Sequence, residues 1–524
     1  MEGLCDKTFL NPHGCPLDGT PEKIVGCARI SAGSCEKVLP GRVVLNDGFA
    51  NFAAMSQTEG ARLPPAFLPA LHAALPAETI LVGQEDRDRY GHDETEDLRF
   101  PPDVVVRART TAEVSTTVRL CAEHNVPITP IGGRTGLSGG ALSVHGGVGL
   151  ALDRMDRILD IDEQNLQVTV EPGVITQALM DAVAAKGLYY PCDPSSKGSC
   201  TIGGNIAENA GGPRAVKYGV TRDQVLNLEL VLPDGEVIWT GANTLKNSTG
   251  YDLTRLLVGS EGTLGVITKA VLRLAPLPKE TRLMLVPFAD AEKACAAVSA
   301  VFRAGIVPSA LEFMERDAIV WTMRYTEGLP SQLSSGPGAY LLIEVDGNHA
   351  DVLMRDCETI LGVMEAHGGG ETLFAETTAE KDALWRLRRS VPVSVKAHSV
   401  YKEEDTVVPR YELPRLLAGV KAIGARYGFR SVCYGHAGDG NLHVNIIKGE
   451  LSDAFWKEEL PKAIREIFQL TVSLGGTLSG EHGIGLVQRS FMDIAFNPVQ
   501  MALMRSIKQA FDPKGLMNPG KVLP

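Results

Sequence analysis

Residues 431–447, SVCYGHAGDGNLHVNII, constrain the fold of this chain more than any other stretch. Strand-forming residues flank Gly438-Asp439-Gly440, and an Asp-Gly pair in that setting is typical of a β-hairpin, because both central turn positions need positive φ. A two-residue turn at Asp439 and Gly440 would place His436 directly opposite His443. Directly opposed residues have Cβ atoms about 4.5–5.5 Å apart, so the two imidazoles could share one metal ion.

The alternation of side chains along a strand divides the second half of this hairpin into two faces. One face is polar and the other is apolar and expected to be buried: the first holds Asn441, His443 and Asn445, the second Leu442, Val444 and Ile446. A lone histidine is usually a hydrogen-bonded structural residue. Two histidines brought into register by a turn favour a pair of metal ligands, as a motif-level hypothesis.

The length and composition of the chain exclude several classes of function. A chain of 524 residues exceeds one hydrophobic core and predicts two or three domains. The formal net charge of -12, without a basic run, argues against a nucleic-acid partner. No apolar stretch reaches the roughly 18 residues that a membrane span needs. The ten cysteines form no C-x-x-C pair, which argues against iron–sulfur clusters and favours a reducing cytoplasm.

Residues 1–54 differ from the rest of the chain because they show no clear helical or strand period. They contain four unevenly spaced cysteines: Cys5, Cys15, Cys27 and Cys35. We assign this segment no function, and a metal-binding leader is the alternative hypothesis.

Two regions of alternating helices and strands follow. In the first, strands at 104–106 and 126–130 enclose a helix at 111–124, and a strand at 226–232 and another that ends near residue 274 come later. In the second, strands at 283–287 and 341–345 alternate with helices at 291–304 and 352–366, which resembles a split βαβ arrangement on an antiparallel sheet. A short helix is expected at 382–389.

The first region contains two glycine-rich tracts, at 131–140 and 194–212. Glycines at this density let backbone N–H groups approach a ligand closely, and runs of such amides bind phosphates. Tight turns in a β-rich domain are the alternative explanation for one tract. Two tracts within one domain-sized span favour a dinucleotide, and because no complete G-x-G-x-x-G follows a strand, a Rossmann NAD site is unsupported.

These motifs carry a resemblance to a known family. Residues 130–140 resemble the pyrophosphate loop of the vanillyl-alcohol-oxidase-type FAD-binding domain. Residues 200–212, 260–267, 435–445 and 480–485 together resemble the group of D-lactate dehydrogenase, D-2-hydroxyglutarate dehydrogenase and glycolate oxidase GlcD, in the same order. The resemblance covers roughly residues 75 to 524, about three domain-lengths.

The resemblance implies an α+β fold that combines a PCMH-type FAD-binding domain with a ferredoxin-like cap. The expected divisions are an N-terminal extension at 1–74, the FAD-binding domain at 75–278, a substrate (cap) domain with the metal site at 279–504, and a C-terminal segment at 505–524 that returns to the FAD domain.

FAD is the cofactor that the resemblance implies. Relatives often attach the flavin through a histidine in or near the first loop, whereas this loop has Arg134 and no histidine between Pro130 and Leu142, so we expect non-covalent FAD. The implied contacts are Pro130, Gly132, Gly133, Arg134, Thr135, Gly136, Leu137, Gly203, Gly204, Asn205, Glu261, Gly265, Ile267 and Asn518.

The resemblance also implies a divalent metal held by His436, His443 and Glu481, with His482 as the catalytic base. Zinc is the expected ion, and manganese and iron are the alternatives. Two histidines and a carboxylate leave positions open for a substrate, and the cation would lower the pKa of its hydroxyl. Hydride would then move to flavin N5, while His482 accepts the proton.

An anionic substrate needs a cationic partner, and three arginines lie close together at Arg386, Arg388 and Arg389. The hydroxyglutarate branch favours Arg388, with Asn445 and a lysine as further substrate contacts. Here the lysine position is ambiguous between Lys402 and Glu403, and Pro392 replaces a substrate-contacting threonine. Acidic residues at 403–405 therefore favour a monocarboxylate such as D-lactate or glycolate over D-2-hydroxyglutarate. A solvated helix face is the alternative for the arginines.

Three functional hypotheses follow. The first is a D-2-hydroxyacid dehydrogenase that passes electrons to an electron-transfer flavoprotein, a cytochrome or a quinone system. The second is one flavoprotein subunit of a multi-subunit glycolate oxidase, and the third is a flavin-binding protein with a vestigial metal site. The protein is expected in the cytoplasm, or at the surface of the inner membrane through its electron acceptor. A homodimer of this chain is a further hypothesis.

Overall fold

The computed structural model describes residues 63–95, 98–329, 333, 336 and 338–524. The four N-terminal cysteines and residues 1–62 of the expected extension lie outside the described residues. In the part of the chain that is described, no helix combines the length and the apolar character needed to cross a membrane.

The described residues before 277 build three sheets. The first is four-stranded with the order β1-β2-β4-β3, the second is five-stranded and antiparallel with the order β5-β6-β10-β8-β9, and the third pairs β7 with β11. The strands are β1 Ile80–Leu81, β2 Val104–Arg107, β3 Ile128–Ile131, β4 Val148–Ala151, β5 Ile158–Asp162, β6 Gln167–Val170, β7 Leu188–Tyr189, β8 Val225–Val231, β9 Val237–Trp239, β10 Val266–Arg273 and β11 Ala275–Pro276.

Helices connect these strands, and one of them lies inside the second glycine tract. They are α1 Phe67–Ala74, α2 Gln84–Arg89, α3 Thr111–His124, α4 Thr176–Ala184, α5 Ile202–Glu208, α6 Ala215–Tyr218, α7 Thr221–Gln224 and α8 Leu253–Leu257. The predicted helix at 111–124 is confirmed as α3. Thr110 Oγ1 accepts a hydrogen bond from Glu113 N at its start, and Asn125 ends it in the left-handed conformation.

The remaining residues build one seven-stranded antiparallel sheet with the order β15-β12-β14-β13-β17-β18-β16. Its first four strands in chain order occupy the positions 4-1-3-2 of a ferredoxin-like sheet, so the expected cap architecture is confirmed. The strands are β12 Glu280–Phe288, β13 Ala310–Glu315, β14 Ala339–Gly347, β15 Leu373–Ala375, β16 Tyr401–Val407, β17 Arg430–Gly435 and β18 Asn441–Ile447.

Helices cover both faces of this sheet. They are α9 Ala291–Arg303, α10 Arg316–Tyr325, α11 Ala350–Ala366, α12 Thr378–His398, α13 Leu413–Tyr427, α14 Leu460–Ser473, α15 Met492–Ala495 and α16 Pro498–Phe511. The short helix expected at 382–389 is wrong in length, because it is the middle of the 21-residue α12. Pro392 lies inside α12. A proline usually ends a helix because it lacks a backbone N–H donor, so the length of this helix was predicted too short from the sequence.

The hairpin of β17 and β18 forms as expected, but the predicted register is wrong. Tyr434, and not His436, lies opposite His443, and a 3-10 turn over Ala437–Asp439 replaces the two-residue turn. The register differs by two positions, so side-chain alternation keeps His436 on the same face as His443. The expected apolar face is confirmed, because Leu442, Val444 and Ile446 are buried in the core against α13 and α14.

The C-terminal residues contact the first half of the chain. Met517 forms a parallel bridge with Ile128, and the backbone N–H of Asn518 donates to Ile128 O at 2.8 Å. Lys521 Nζ lies within hydrogen-bond distance of Leu142 O. The domain boundaries at 75, 279 and 505 stay predictions, and α1, just before the first of them, packs with Phe67 in the same core as α3.

Candidate active site

The two glycine loops of the first half line one cavity. They approach each other so closely that a Cβ on Gly133 would lie 2.7 Å from Ser199 O, and one on Gly132 would lie 2.9 Å from Thr201 Oγ1. Only glycine is tolerated at such distances, and the backbone of both loops stays accessible to a ligand between them. The predicted second tract is not all loop, because Thr201 begins α5 and its Oγ1 accepts a hydrogen bond from Gly204 N.

Three residues implied as FAD contacts hold left-handed backbone conformations: Arg134 at φ 58°, Glu261 at φ 51° and Asn518 at φ 42°. Non-glycine residues rarely adopt this conformation, and such positions cluster at ligand sites. Asn518 Nδ2 donates to Gly140 O at 2.9 Å and to Glu261 O at 2.8 Å. Asn518 therefore supports the first glycine loop from behind and does not itself line the cavity.

The cavity has a volume of about 530 Å³, within the range of cofactor sites. Its crowded glycines and its size fit an FAD molecule. One wall contains every other implied FAD contact, namely Pro130, Gly132, Gly133, Arg134, Thr135, Gly136, Leu137, Gly203, Gly204, Asn205, Glu261, Gly265 and Ile267. The opposite wall comes from the cap half and includes Arg388, Glu403, Tyr434, His443, Glu481 and His482.

The three expected metal ligands converge at the cap wall, where His443 and Glu481 line the cavity and His436 does not. Glu481 Oε1 lies 3.1 Å from His436 Nε2 and 3.5 Å from His443 Nε2. One ligand atom from each residue falls within 4.8 Å of the others. Two buried imidazoles and a carboxylate are a donor set that suits zinc and similar divalent ions, so these residues fit the expected metal.

His436 is oriented by a buried carboxylate that the sequence gave no reason to select. Its Nδ1 donates to Glu312 Oε2 at 2.9 Å and Oε1 at 3.0 Å, which leaves Nε2 to face Glu481. Burial alone would lower the pKa of His436, but Glu312 and Glu481 hold it well above its ordinary value. A metal ion bound at Nε2 would therefore have to displace a proton from that nitrogen. Burial would raise the pKa of Glu481, whereas His436 and His443 lower it to about 2.

His482 lies next to the ligand set and lines the cavity. Its ring stacks on that of His443 with the centroids 5.1 Å apart and the planes 19° from parallel. Burial would lower the pKa of His482, but Asp405 and Glu403 raise it, which makes its imidazole a stronger base than a free one. Burial and the charge of His482 lower the pKa of His443 to about 3, which favours the neutral form that binds metals. Glu403, His443 and His482 form a second set of close ligand atoms.

The three arginines of α12 have different environments. Arg388 is 2% exposed, lines the cavity and has a guanidinium nitrogen 2.8 Å from Glu312 Oε2. Arg389 also lines the cavity, 3.5 Å from Asp193 Oδ2. Arg386 points to Gly328 O, outside the cavity. A solvated helix face therefore does not describe Arg388.

The register of β16 separates the two candidates for the lysine position. Glu403 lies opposite Asn445 and lines the cavity, whereas Lys402 lies opposite Ile446 and points to the other face of the sheet. The structure therefore does not bring the predicted Lys402 to the site, and an acidic residue lies there in its place. Asn445 is fully buried on the same face as His443 but does not line the cavity.

Apart from the charge of the acidic run 403–405, no role was predicted from the sequence for Glu312, Asp405 or Tyr434. Asp405 accepts hydrogen bonds from the loop that carries Glu481 and His482. These residues come from strands that pair across long sequence separations. The single available signal was the charge of Glu312 and Asp405 within otherwise strand-like segments.

Comparison with known proteins identifies the family of this chain. Residues 277–522 match the family described as FAD linked oxidases, C-terminal domain, and residues 102–241 match the family described as FAD binding domain. The chain is 37% identical over 473 residues to D-lactate dehydrogenase of Anaerostipes hadrus, an alignment that covers 89% of this chain and 99% of that protein. The chain belongs to the FAD-linked D-2-hydroxyacid dehydrogenase family.

Further members of this family are similar along most of their length. The glycolate oxidase subunit GlcD of Bacillus subtilis (strain 168) is 40% identical over 442 residues, which cover 83% of this chain and 91% of that protein. D-2-hydroxyglutarate dehydrogenase of Stutzerimonas stutzeri is 31% identical over 464 residues, which cover 87% of this chain and 99% of that protein. The prediction that the present chain is an FAD-linked enzyme is confirmed.

Solved structures show the same fold at low sequence identity. p-Cresol methylhydroxylase with substrate bound has a TM-score of 0.72 at 18% identity, covering 87% of this chain and 96% of that one. Alkyldihydroxyacetonephosphate synthase has a TM-score of 0.66 at 19% identity, covering 89% and 88%. The expected vanillyl-alcohol-oxidase-type fold of this family member is confirmed.

Proposed function

We propose that this chain oxidises a D-2-hydroxy acid of the D-lactate or glycolate type to the 2-oxo acid, using FAD and a divalent metal. The observation that carries the proposal is the convergence of His436, His443 and Glu481 within 4.8 Å, with His443 and Glu481 lining the cavity that the glycine loops also line. The names of the related D-lactate dehydrogenase and glycolate oxidase subunit support the substrate class.

When bound, FAD supplies a hydride acceptor and the metal supplies a Lewis acid that lowers the pKa of the substrate hydroxyl. His436, His443 and Glu481 would hold the metal, and the glycine loops would hold the FAD. His482 takes the hydroxyl proton in this proposal, because its imidazole lines the cavity beside the ligand set and a neutral imidazole accepts a proton near neutral pH. Glu312 fixes the orientation of His436 and so keeps its Nε2 available.

Arg388 and Glu403 set the charge pattern at the substrate end of the cavity. Arg388 is a buried cation at the wall and suits a substrate carboxylate. Glu403 places a carboxylate on the same wall, with Oε1 3.4 Å from His443 Nδ1. A second substrate carboxylate would be repelled there, which favours a monocarboxylic 2-hydroxy acid over D-2-hydroxyglutarate.

FAD is held without a covalent bond in this proposal, because the first glycine loop has no histidine between Pro130 and Leu142. The test is to denature the yellow protein and pass it through a filter that retains the polypeptide. The flavin colour is expected in the filtrate. Colour that stays on the polypeptide would contradict non-covalent binding.

The electrons must leave to a separate acceptor, since the ten cysteines of the chain form no iron–sulfur motif. The acceptor is an electron-transfer flavoprotein, a cytochrome or a quinone system. The second candidate function is one flavoprotein subunit of a larger glycolate oxidase, which the match to GlcD favours. Reduction of an artificial dye by the isolated chain supports the first candidate, and activity only with added subunits supports the second.

A substrate screen tests the proposal. D-lactate, glycolate and D-2-hydroxyglutarate are offered to the FAD-loaded protein with a dye acceptor, before and after treatment with a chelator. We expect dye reduction with the monocarboxylates, its loss after chelation, and its return when Zn²⁺ or Mn²⁺ is added. Turnover that is unaffected by complete metal removal would contradict the metal-dependent mechanism.

A further inference from the structure

The backbone segment of Gly480, Glu481 and His482 is held by one buried carboxylate. Asp405 Oδ2 accepts hydrogen bonds from the backbone N–H groups of Gly480, Glu481 and His482 at 2.8, 2.7 and 2.9 Å. The hydroxyl of Ser479 donates to the same oxygen at 2.8 Å. Four donors therefore converge on one oxygen of a side chain that is fully buried.

The second oxygen of Asp405 connects this loop to the hairpin. Asn441 Nδ2 donates to Asp405 Oδ1 at 2.7 Å, and His443 Nδ1 lies 3.7 Å from the same oxygen. Asp405 lies directly opposite His443 in the pairing of β16 with β18. The carboxylate thus joins the strand that carries one expected metal ligand to the loop that carries another.

Residues 478–485 lie in neither a helix nor a strand, and two carboxylates hold their backbone. Asp405 holds Gly480, Glu481 and His482, and Glu261 accepts from the N–H groups of Ile484 and Gly485 at 2.8 and 2.7 Å, beyond the residues that carry the proposed chemistry. Three successive N–H groups that point at one anion define the backbone path, and successive side chains then leave in different directions. Glu481 turns towards His436, and His482 stacks on His443. The path is tight at Gly480, where a Cβ would lie 2.5 Å from Asn441 Nδ2.

We propose that Asp405 is a positioning residue that sets the geometry of Glu481 and His482 for metal binding and proton transfer. It touches neither the substrate nor the flavin in this account, and it acts through the loop. The inference rests on the proposed function, because it assigns roles to Glu481 and His482.

The test compares Asp405→Asn with Glu404→Gln in the FAD-loaded protein. Asparagine has one acceptor oxygen, so it cannot accept from the loop amides and from Asn441 Nδ2 together. Glu404 is the matched control because it is a buried acid on the same strand that points to the opposite face, towards Gln488.

Asp405→Asn is expected to keep its FAD and to weaken the affinity for Zn²⁺, titrated after chelation, by about 10- to 100-fold. At saturating Zn²⁺ we expect kcat to fall more than about tenfold, while KM changes less than about threefold, because Arg388 is unaltered. Amide hydrogen exchange in the peptide 479–483 should accelerate. Glu404→Gln should match the wild type in all these measurements.

Wild-type values of Zn²⁺ affinity, kcat and loop exchange in a folded Asp405→Asn variant would overturn the proposal. If Asp405→Asn fails to fold, Ser479→Ala is the second variant, since it keeps the carboxylate and removes one donor. It should lower kcat by about threefold and accelerate loop exchange, and no change in either would overturn the proposal. His482→Asn in the same assay separates the two hypotheses: its full activity would contradict the proposed base, whereas loop exchange in Asp405→Asn still reports on positioning.

Discussion

The two walls of the cavity differ in whether backbone or side-chain atoms face the ligand. The wall of the first half presents backbone, since crowded glycines such as Gly132 and Gly133 bring two loops together. The wall of the cap half presents side chains, and sheet pairing and buried carboxylates fix His443, Glu481 and His482 in place.

This difference separates binding of the cofactor from chemistry. A backbone wall is sensitive to any added Cβ, because the close approach of the loops has no room for one. A side-chain wall is sensitive to the loss of a functional group and tolerates replacements that keep the strand packed. We therefore expect that changes in the first wall lower FAD occupancy, and that changes in the second lower turnover while FAD stays bound.

The largest expected effect comes from His482→Asn on the side-chain wall. Loss of the base should reduce turnover by about 10²- to 10⁴-fold with FAD and metal content unchanged. The measurement is dye reduction with D-lactate or glycolate, together with flavin absorbance per chain. Near-normal turnover would contradict the role of His482, and loss of FAD would contradict the separation of the two walls.

Gly133→Ala tests the backbone wall. Its Cβ would lie 2.7 Å from Ser199 O and 3.1 Å from Cys200 Cα, both backbone atoms, so the loops must move apart. FAD affinity should fall about tenfold or more. Gly198→Ala is the matched control, because nothing lies within 4 Å of its Cβ. Equal FAD occupancy in the two variants, measured by flavin absorbance at limiting FAD, would contradict the role of the crowded glycines.

Glu403→Gln sharpens the comparison by removing one negative charge from the side-chain wall. Because Glu403 also raises the pKa of His482, the readout is a ratio of two substrates that would share this base. Removing the carboxylate that lines the cavity should raise kcat/KM for D-2-hydroxyglutarate relative to D-lactate by about three- to tenfold. FAD content should not change. The measurement is the ratio of kcat/KM for D-2-hydroxyglutarate to kcat/KM for D-lactate in the variant and in the wild type. An unchanged ratio would show that Glu403 does not select against the second carboxylate.

The smallest effect is expected at an exposed contact between the two halves. Lys396 Nζ lies 3.0 Å from Glu94 Oε2, and both side chains are more than half exposed. Such pairs contribute about 0–1 kcal/mol, so Lys396→Ala should leave kcat, KM and FAD occupancy within about twofold of the wild type. A larger change in FAD occupancy would mean that this pair, whose two residues also line the cavity, helps to hold the cofactor.

The sequence predicted elements well where local signals agreed. Helix α3 has its capping Thr110 and its terminating Asn125 in the sequence, and both predicted ends were confirmed. The hairpin was found from Asp439 and Gly440, but its register was wrong because a longer connection, residues 436–440 with a 3-10 turn, also fits those residues.

The remaining errors depend on contacts that are distant in sequence. Lys402 and Glu403 are neighbours, and only the pairing of β16 with β18 decides which of them faces the cavity. Glu312 contacts His436 across 124 positions, and Asp405 contacts Glu481 across 76. No local pattern indicates such pairs, so family resemblance could suggest the ligands but not the groups that orient them.

The proposed chemistry requires above all that His436, His443 and Glu481 together hold one divalent ion. Elemental analysis of the metal content per chain, in the FAD-loaded wild type and in Glu481→Gln, tests it most directly. We expect about one divalent ion per wild-type chain and a large loss in Glu481→Gln with FAD retained, since three such ligands suit a single site. An active wild type without a stoichiometric metal, or a Glu481→Gln variant that keeps the full metal content, would contradict the account.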